Sequence, residues 1–283
     1  MIKRFTLCVL VSLLIACSFF DSTDHVPMFL DIEESRFTTT PNQGSNSNKI
    51  TDVSVFADGF SIGIFNIPNE VPVLDLDKDG ISTINVFPVI RKNGIGNNPI
   101  QFPFYNSNEF EFMFQEEKLI PLDLEFTYAD NIHFVIIENF EGSHIIKDGI
   151  DQDPSTVFIK SSEAKYGSFC GKMTTTIDNP VFEEATIFRY TRAEVGNSPI
   201  FLELDYKNNI PFRVGVLTYL GFAGDRDYKI VLTESEDWNK IYIELTDELG
   251  GQNYDEFQIV FGSASASDIG NVWIDNIKLI ILK

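Results

Sequence analysis

From Val53 to Leu279 the chain consists of short runs in which apolar and polar residues alternate, separated by Gly, Pro, Asn and Asp. A period of two puts successive side chains on opposite faces of an extended strand, whereas an amphipathic helix repeats every 3.6 residues. Phe212, Val214 and Val216 share one face of such a run, as do Ile241, Ile243 and Leu245. Arg213, Tyr242 and Glu244 point the other way. No segment carries a sustained helical period, and the 26 phenylalanines are residues that strands favour. The pattern specifies an all-β chain.

The strands fall into two series. The first runs from Val26–Ile32, past a Thr/Asn/Gly/Ser-rich loop at Thr38–Asn48, through Ile50–Ala57, Phe60–Pro68, Val71–Leu76, Ile81–Ile90, Phe102–Phe114 and Leu119–Tyr128. Six or seven strands closed by turns such as Ala57-Asp58-Gly59 make an N-terminal β-sandwich over 26–130. The second series begins at Ile132 and continues through Val272–Leu279. Its nine or ten runs predict a jelly-roll β-sandwich over 131–283.

Ahead of the first series lies Met1-Ile2-Lys3-Arg4, a basic start, and then Phe5–Ala16 without a charge. A membrane-crossing helix needs about 20 apolar residues, so this run suits a secretory signal. Leu14-Ile15-Ala16-Cys17 resembles the lipobox of bacterial lipoproteins. The resemblance implies a signal peptide at 1–16, acylation of Cys17 with palmitate-type chains, a lipidated tether at 17–25, and residence in the cell envelope as an outer-membrane lipoprotein. The residues also admit an ordinary secretory signal with an incidental cysteine, or a short anchor. In the tether, Asp21-Ser22-Thr23 resembles the O-glycosylation acceptor of Bacteroidota, and equally reads as a solvated spacer.

The formal charge of −21 becomes −23 once Lys3 and Arg4 leave with the signal. Long-range repulsion from phosphate then opposes nucleic acid and anionic lipid as partners, and no basic run offsets it. Of three cysteines, Cys8 lies in the signal and Cys17 carries lipid, so Cys170 has no partner and reads as a small buried residue.

Gly44-Ser45-Asn46-Ser47-Asn48-Lys49-Ile50-Thr51-Asp52-Val53, Ala57-Asp58-Gly59, Pro72-Val73-Leu74, Pro88–Ile95 and Phe102-Pro103-Phe104-Tyr105 resemble a family of uncharacterised Bacteroidota lipoproteins with a PEGA-like or Ig-like β domain. Asn139-Phe140-Glu141-Gly142, Ser168-Phe169-Cys170-Gly171, Trp238-Asn239-Lys240-Ile241 and Val272-Trp273-Ile274-Asp275-Asn276-Ile277 resemble a carbohydrate-binding module or galactose-binding-like jelly roll. That resemblance implies a structural calcium held by Glu141 and Asp275, completed by backbone carbonyls because such a cation takes six to eight oxygens. Without it, the two are solvated carboxylates near the ends of the domain. Asp75, Asp77, Asp79 and Gly80 begin like an EF-hand loop, but Val86 stands where its bidentate Glu belongs, and an acidic hairpin turn fits better.

No reaction can be read from the residues, and no cofactor is called for. Gly59-Phe60-Ser61-Ile62-Gly63 matches a nucleophile elbow, yet strand-like residues and Pro68 follow where a helix is needed. Glu203-Leu204-Asp205 resembles half of a laminarinase-type motif, with Asn208 in place of its second glutamate. Glu183 and Glu184 are adjacent, so a strand turns them to opposite faces. Three histidines leave little for acid–base chemistry. Sugar binding calls for aromatic rings on a sheet face or rim, for which Tyr190, Tyr219, Tyr228, Trp238, Tyr242 and Trp273 are candidates. The ligand residues expected are Tyr219, Tyr242 and Trp238, with Tyr219 and Tyr242 chosen because they alternate away from the apolar face. The sequence therefore describes a membrane-anchored, non-catalytic envelope protein that binds glycan or a surface partner. A structural or assembly component of an envelope machine is the alternative, and a glycoside hydrolase a third reading.

Overall fold

The computed structural model describes residues 26–75, 80–196, 199–251, 253–265 and 269–283. The signal, Cys17, the Ser22 and Thr23 acceptor, and Asp77 and Asp79 of the acidic turn lie outside the described residues. The chain is all-β. Its first ten strands are β1 (Met28–Ile32), β2 (Ser35–Thr38), β3 (Asp52–Ala57), β4 (Phe60–Asn66), β5 (Asn69–Val73), β6 (Ile81–Arg91), β7 (Pro99–Gln101), β8 (Asn108–Met113), β9 (Leu119–Pro121) and β10 (Leu124–Thr127). The remainder are β11 (Ile132–Glu138), β12 (Ile146–Gly149), β13 (Ile159–Ser161), β14 (Cys170–Thr176), β15 (Val181–Thr186), β16 (Tyr190–Thr191), β17 (Ile200–Asn208), β18 (Phe212–Leu220), β19 (Ala223–Leu232), β20 (Ser235–Glu244), β21 (Glu256–Ala264) and β22 (Ile269–Leu282). Among the described residues no helix is long and apolar enough to cross a membrane.

β1–β10 form three small sheets: β5-β1-β9, the parallel pair β10-β2, and β4-β3-β6-β7 with β8 also on β6. Their inner faces meet in one core that includes Leu30, Phe37, Val55, Val71, Ile84, Phe104 and Phe126. Ser61 lies on β4, a hairpin partner of β3, so the apparent nucleophile elbow is a strand. The Phe102–Phe114 run is not one strand, because Phe102–Tyr105 leave the sheet to pack their rings inward and only β8 remains extended.

β11–β22 form a jelly-roll sandwich. Sheet one has the order β13-β14-β22-β17-β20 with β11 also on β22, and sheet two has the order β12-β15-β21-β18-β19 with β16 on β21. Leu202, Leu204, Val214, Val216, Ile241, Ile243, Ile259, Phe261, Ile274 and Leu279 fill the space between them. Cys170 is buried and unpaired here, and burial, with Asp275 adding to it, pushes its thiol up to about 11. A thiol so protonated is no nucleophile near neutral pH.

β22 is buried on both faces for nearly its whole length, which is why Ile277-Lys278-Leu279-Ile280-Ile281-Leu282 reads as an almost unbroken apolar run. Ile277, Leu279 and Ile281 face the jelly-roll core, while Ile280 joins the core of the N-terminal strands with Phe201 and Tyr242. The outer face of sheet one is therefore covered by the N-terminal unit. Phe102 is the pivot, its ring centroid 5.1 Å from Phe104, 4.7 Å from Tyr105, 5.3 Å from Phe201 and 4.9 Å from Tyr242.

Charges are buried in the same seam. The sheet register sets Glu203 beside Tyr242 and Lys278, and Asp205 beside Lys240 and Asp275. Glu203 pairs with Lys240 at 2.9 Å and accepts from the hydroxyls of Tyr105 at 3.2 Å and Tyr128 at 3.0 Å. Asp205 accepts from Ser47 at 2.7 Å, Lys165 at 3.0 Å and Asn276 at 3.0 Å. Lys278 donates to the Ser45 carbonyl at 2.7 Å and the Tyr128 hydroxyl at 3.1 Å. Glu203, Asp205 and Lys278 thus have the hydrogen-bond partners that burial demands, whereas Lys240 has its counter-charge in Glu203 but no hydrogen bond to its ammonium among the described residues.

Burial lowers the Lys278 ammonium to about 7, opposed by Glu203 and Asp205 and assisted by Lys240. Between about pH 7 and the ordinary lysine value of 10.5, the unfolded chain then binds a proton that the folded chain does not. Stability contributed by this group accordingly rises with pH across that window. Lys278→Met is expected to remove that slope. Relative to the variant, the parent should gain about 1 kcal/mol per pH unit between pH 7.5 and 9.5, read from denaturant unfolding at several pH values. Parallel curves for the two proteins would contradict it.

Candidate functional site

The outer face of sheet two carries a second set of polar and aromatic side chains. On β18, Phe212, Val214 and Val216 point inward, which turns Arg213, Gly215, Leu217 and Tyr219 outward. A bulge in β19 opposite Val214 and Gly215 keeps Ile230 and Leu232 inward while turning Tyr228, Arg226 and Gly224 to the outer face. β21 contributes Gln258 and Gly262, and β15 contributes Glu183.

Two glycines shape this face. A Cβ on Gly262 would lie 3.0 Å from Cζ of Tyr228, and one on Gly215 would lie 2.7 Å from the Tyr228 Cα. The Tyr228 ring therefore lies down with its hydroxyl end over Gly262, where a side chain would lift it, while Gly215 lets the backbone of β19 approach β18 at the bulge. Its hydroxyl donates to Glu183 Oε1 at 2.6 Å, and Arg226 pairs with Glu183 Oε2. Burial, followed by the adjacent Glu183, raises the Tyr228 hydroxyl above the usual tyrosine range, so it remains a donor. The Arg213 guanidinium lies 4.7 Å from the ring centroid. Further along the face, Arg189 stacks 3.6 Å from the Tyr219 centroid, and the Tyr219 hydroxyl bonds Gln258. The result is a pair of half-buried tyrosine–arginine stacks on one uncovered sheet face, with a carboxylate between strands to orient hydroxyl groups.

Of the residues expected from sequence, Tyr219 lies on this face with one side of its ring taken by Arg189. Tyr242 does not reach a surface. It alternates away from the jelly-roll core as expected, but the side it faces is the N-terminal unit, where it is 1% exposed and its hydroxyl accepts from the Lys49 backbone N–H at 2.9 Å. Alternation identified the face correctly and solvent wrongly, because a second unit covers it. Trp238 is half-buried on β20, in the other sheet from Tyr219, so the three residues do not converge. Trp273 is spanned by Lys172 and Lys207, with its ring nitrogen bonded to Glu163 at 2.8 Å. Tyr190 packs toward Phe257 and the core.

Glu203 and Asp205 are fully buried in the seam, away from any substrate. Glu183 and Glu184 do point to opposite sides: Glu184 is 1% exposed and lines a cleft of about 340 Å³ with His144 and Phe158.

Glu141 and Asp275 are tied to one segment, Lys165–Phe169. Glu141 accepts from the backbone N–H of Ser168 at 2.7 Å and of Phe169 at 2.9 Å, and Asp275 accepts from Tyr166 at 3.4 Å and from Asn276 at 2.8 Å. Two ammonium groups lie nearby, Lys160 on the Glu141 carbonyl at 3.0 Å and Lys165 on the neighbouring Asp205. Among the described residues no group of three or more His, Cys, Asp or Glu side chains could hold a metal ion. Both carboxylates are thus engaged by backbone N–H groups, Glu141 through Oε1 and Asp275 through both oxygens.

Arg226 does not stand out in the sequence, Arg213 only as a residue facing away from the apolar side, and Glu183 only as a carboxylate turned away from Glu184. The signal for them is Gly215 and Gly262, isolated glycines inside strand-like runs, which mark a close approach by another group.

No protein-family model matches the chain, and no curated protein does. Among solved structures it is similar to a family 30 carbohydrate-binding module, at 15% identity and a TM-score of 0.40, over 54% of this chain and 88% of that one. It is also similar to a family 22 module from Clostridium thermocellum, at 14% identity and a TM-score of 0.39, over 54% and 97% of the two chains. A family 22 xylan-binding domain from Paenibacillus barcinonensis aligns at 12% identity and a TM-score of 0.40, over 55% and 98%.

Proposed function

We propose that the protein is a glycan-binding module, held at a membrane of the cell envelope by lipid on Cys17, and that the outer face of sheet two is its binding surface. The observation that carries this reading is the Tyr228 ring, laid over Gly262 and surrounded by Arg213, Arg226 and Glu183. Pyranose rings present flat patches of C–H groups that pack on aromatic faces, and their hydroxyls need donors and acceptors at the edge of the same platform. The Tyr228–Arg213 stack supplies the first, and Arg226 and Glu183 the second. Binding rather than hydrolysis suits the site, since both oxygens of Glu183 are committed, one to Tyr228 and one to Arg226. Lipid attachment is supported by the Leu14–Cys17 sequence, and labelled palmitate should be incorporated into the parent and lost in Cys17→Ser.

Tyr228→Ala is expected to weaken glycan binding at least tenfold, about 1.4 kcal/mol, measured as retardation in polysaccharide gels, with the thermal midpoint little changed. Retardation equal to that of the parent would remove the face from consideration.

A further inference from the structure

We infer that this face selects an anionic glycan, a polymer bearing hexuronate carboxylates, through Arg213. The inference rests on the reading of the face as a glycan platform.

The chain has seven arginines and twice as many acidic as basic residues. Three of the seven, Arg189, Arg213 and Arg226, nonetheless gather on this one face. Two of them are answered: Arg226 by Glu183, and Arg189 by Glu256 at 3.5 Å. Arg213 is not. Among the described residues its guanidinium makes no ion pair and no hydrogen bond, and it rests against the Tyr228 ring. A guanidinium stacked on an aromatic ring keeps its in-plane N–H groups free, and that planar fork matches a carboxylate with two parallel hydrogen bonds.

The guanidinium lies over the Tyr228 ring and forms part of the surface on which a sugar would pack, so a carboxylate carried on that sugar falls within reach of its N–H groups. Glu183 does not oppose such a ligand, since its charge is already met by Arg226 and the Tyr228 hydroxyl. The net charge of −21 repels a polyanion at long range, but at physiological salt that field is screened beyond about 8 Å. Contact with Arg213 then decides affinity.

The test uses the full chain against polygalacturonate and alginate, with methyl-esterified polygalacturonate and xylan as neutral counterparts, by gel retardation and titration calorimetry. Polygalacturonate or alginate should bind at least tenfold more tightly than the neutral polymers. Arg213→Ala should abolish that preference, and Arg213→Lys should restore only part of it, because an ammonium cannot make the bidentate pair. Equal binding of acidic and neutral polymers, or a preference that survives Arg213→Ala, overturns the anionic selection. If Tyr228→Ala still weakens the neutral polymers in that case, the platform reading stands. Failure of the parent to bind any of the four overturns both.

Discussion

Glu203→Ala is expected to cost about 3–5 kcal/mol of folding stability, the largest effect of any charge deletion in the chain. Glu203 is fully buried and holds Lys240, itself 3% exposed, in an ion pair of 2.9 Å. Its removal leaves the Lys240 ammonium with only the more distant Asp205 for counter-charge, the Tyr128 hydroxyl without its acceptor, and Tyr105 with only the Tyr242 hydroxyl at 3.4 Å. Water cannot enter freely to replace it, because Phe37, Phe102 and Tyr242 close the seam around it. Two companions distinguish charge from packing. Glu203→Gln keeps acceptors for the hydroxyls and should recover part of the loss. The double variant Glu203→Leu, Lys240→Met removes both charges and should return to within about 2 kcal/mol of the parent, since well-packed apolar replacements of buried pairs are often neutral. Urea unfolding of the three proteins decides the matter, and a Glu203→Ala loss below 1 kcal/mol would mean that the seam is wet.

Phe102→Ala should cost a similar amount, about 3–5 kcal/mol, and change the form of unfolding as well as its midpoint. Phe102 is 2% exposed and touches rings from both units, Phe104 and Tyr105 on one side and Phe201 and Tyr242 on the other. The cavity would lie in the contact through which the two units stabilise each other. Calorimetry of the parent should give one transition. In the variant the N-terminal unit should separate as an earlier one, with its amides exchanging before those of the jelly roll. A single transition lowered by less than about 2 kcal/mol would show that Phe102 is replaceable. Combined with Glu203→Ala the losses will not add, because Tyr105 is shared by both sites.

Most strands of the jelly roll could be read in the sequence, because alternation is a local property and Phe212, Val214, Val216 or Ile241, Ile243, Leu245 display it over five residues. Short elements such as β2, β7 and β12 do not show in the sequence, since three or four residues hold too little pattern to declare a period, and β16 reads as the end of one run with β15. The seam was not legible. Tyr242 and Glu203 look like surface residues of a strand with one apolar side, and only the second unit makes them interior. The near-continuous apolar run of β22 was the clue that one strand serves two cores. The platform was half legible. Tyr228 was among the candidate aromatics, but its choice over Tyr242 depends on which glycines lie beneath it, a matter of register across three strands rather than of sequence along one.

The double burial of β22 also sets an order of events in time. The core that contains Leu30 is completed by Ile280, a residue made some 250 positions later. The N-terminal strands can collapse early, but their exposed aromatic side stays open until β17, β20 and β22 have joined. Contacts between residues so distant in sequence form late and slowly. Until they form, the apolar side of the N-terminal strands is a surface to which chaperones bind.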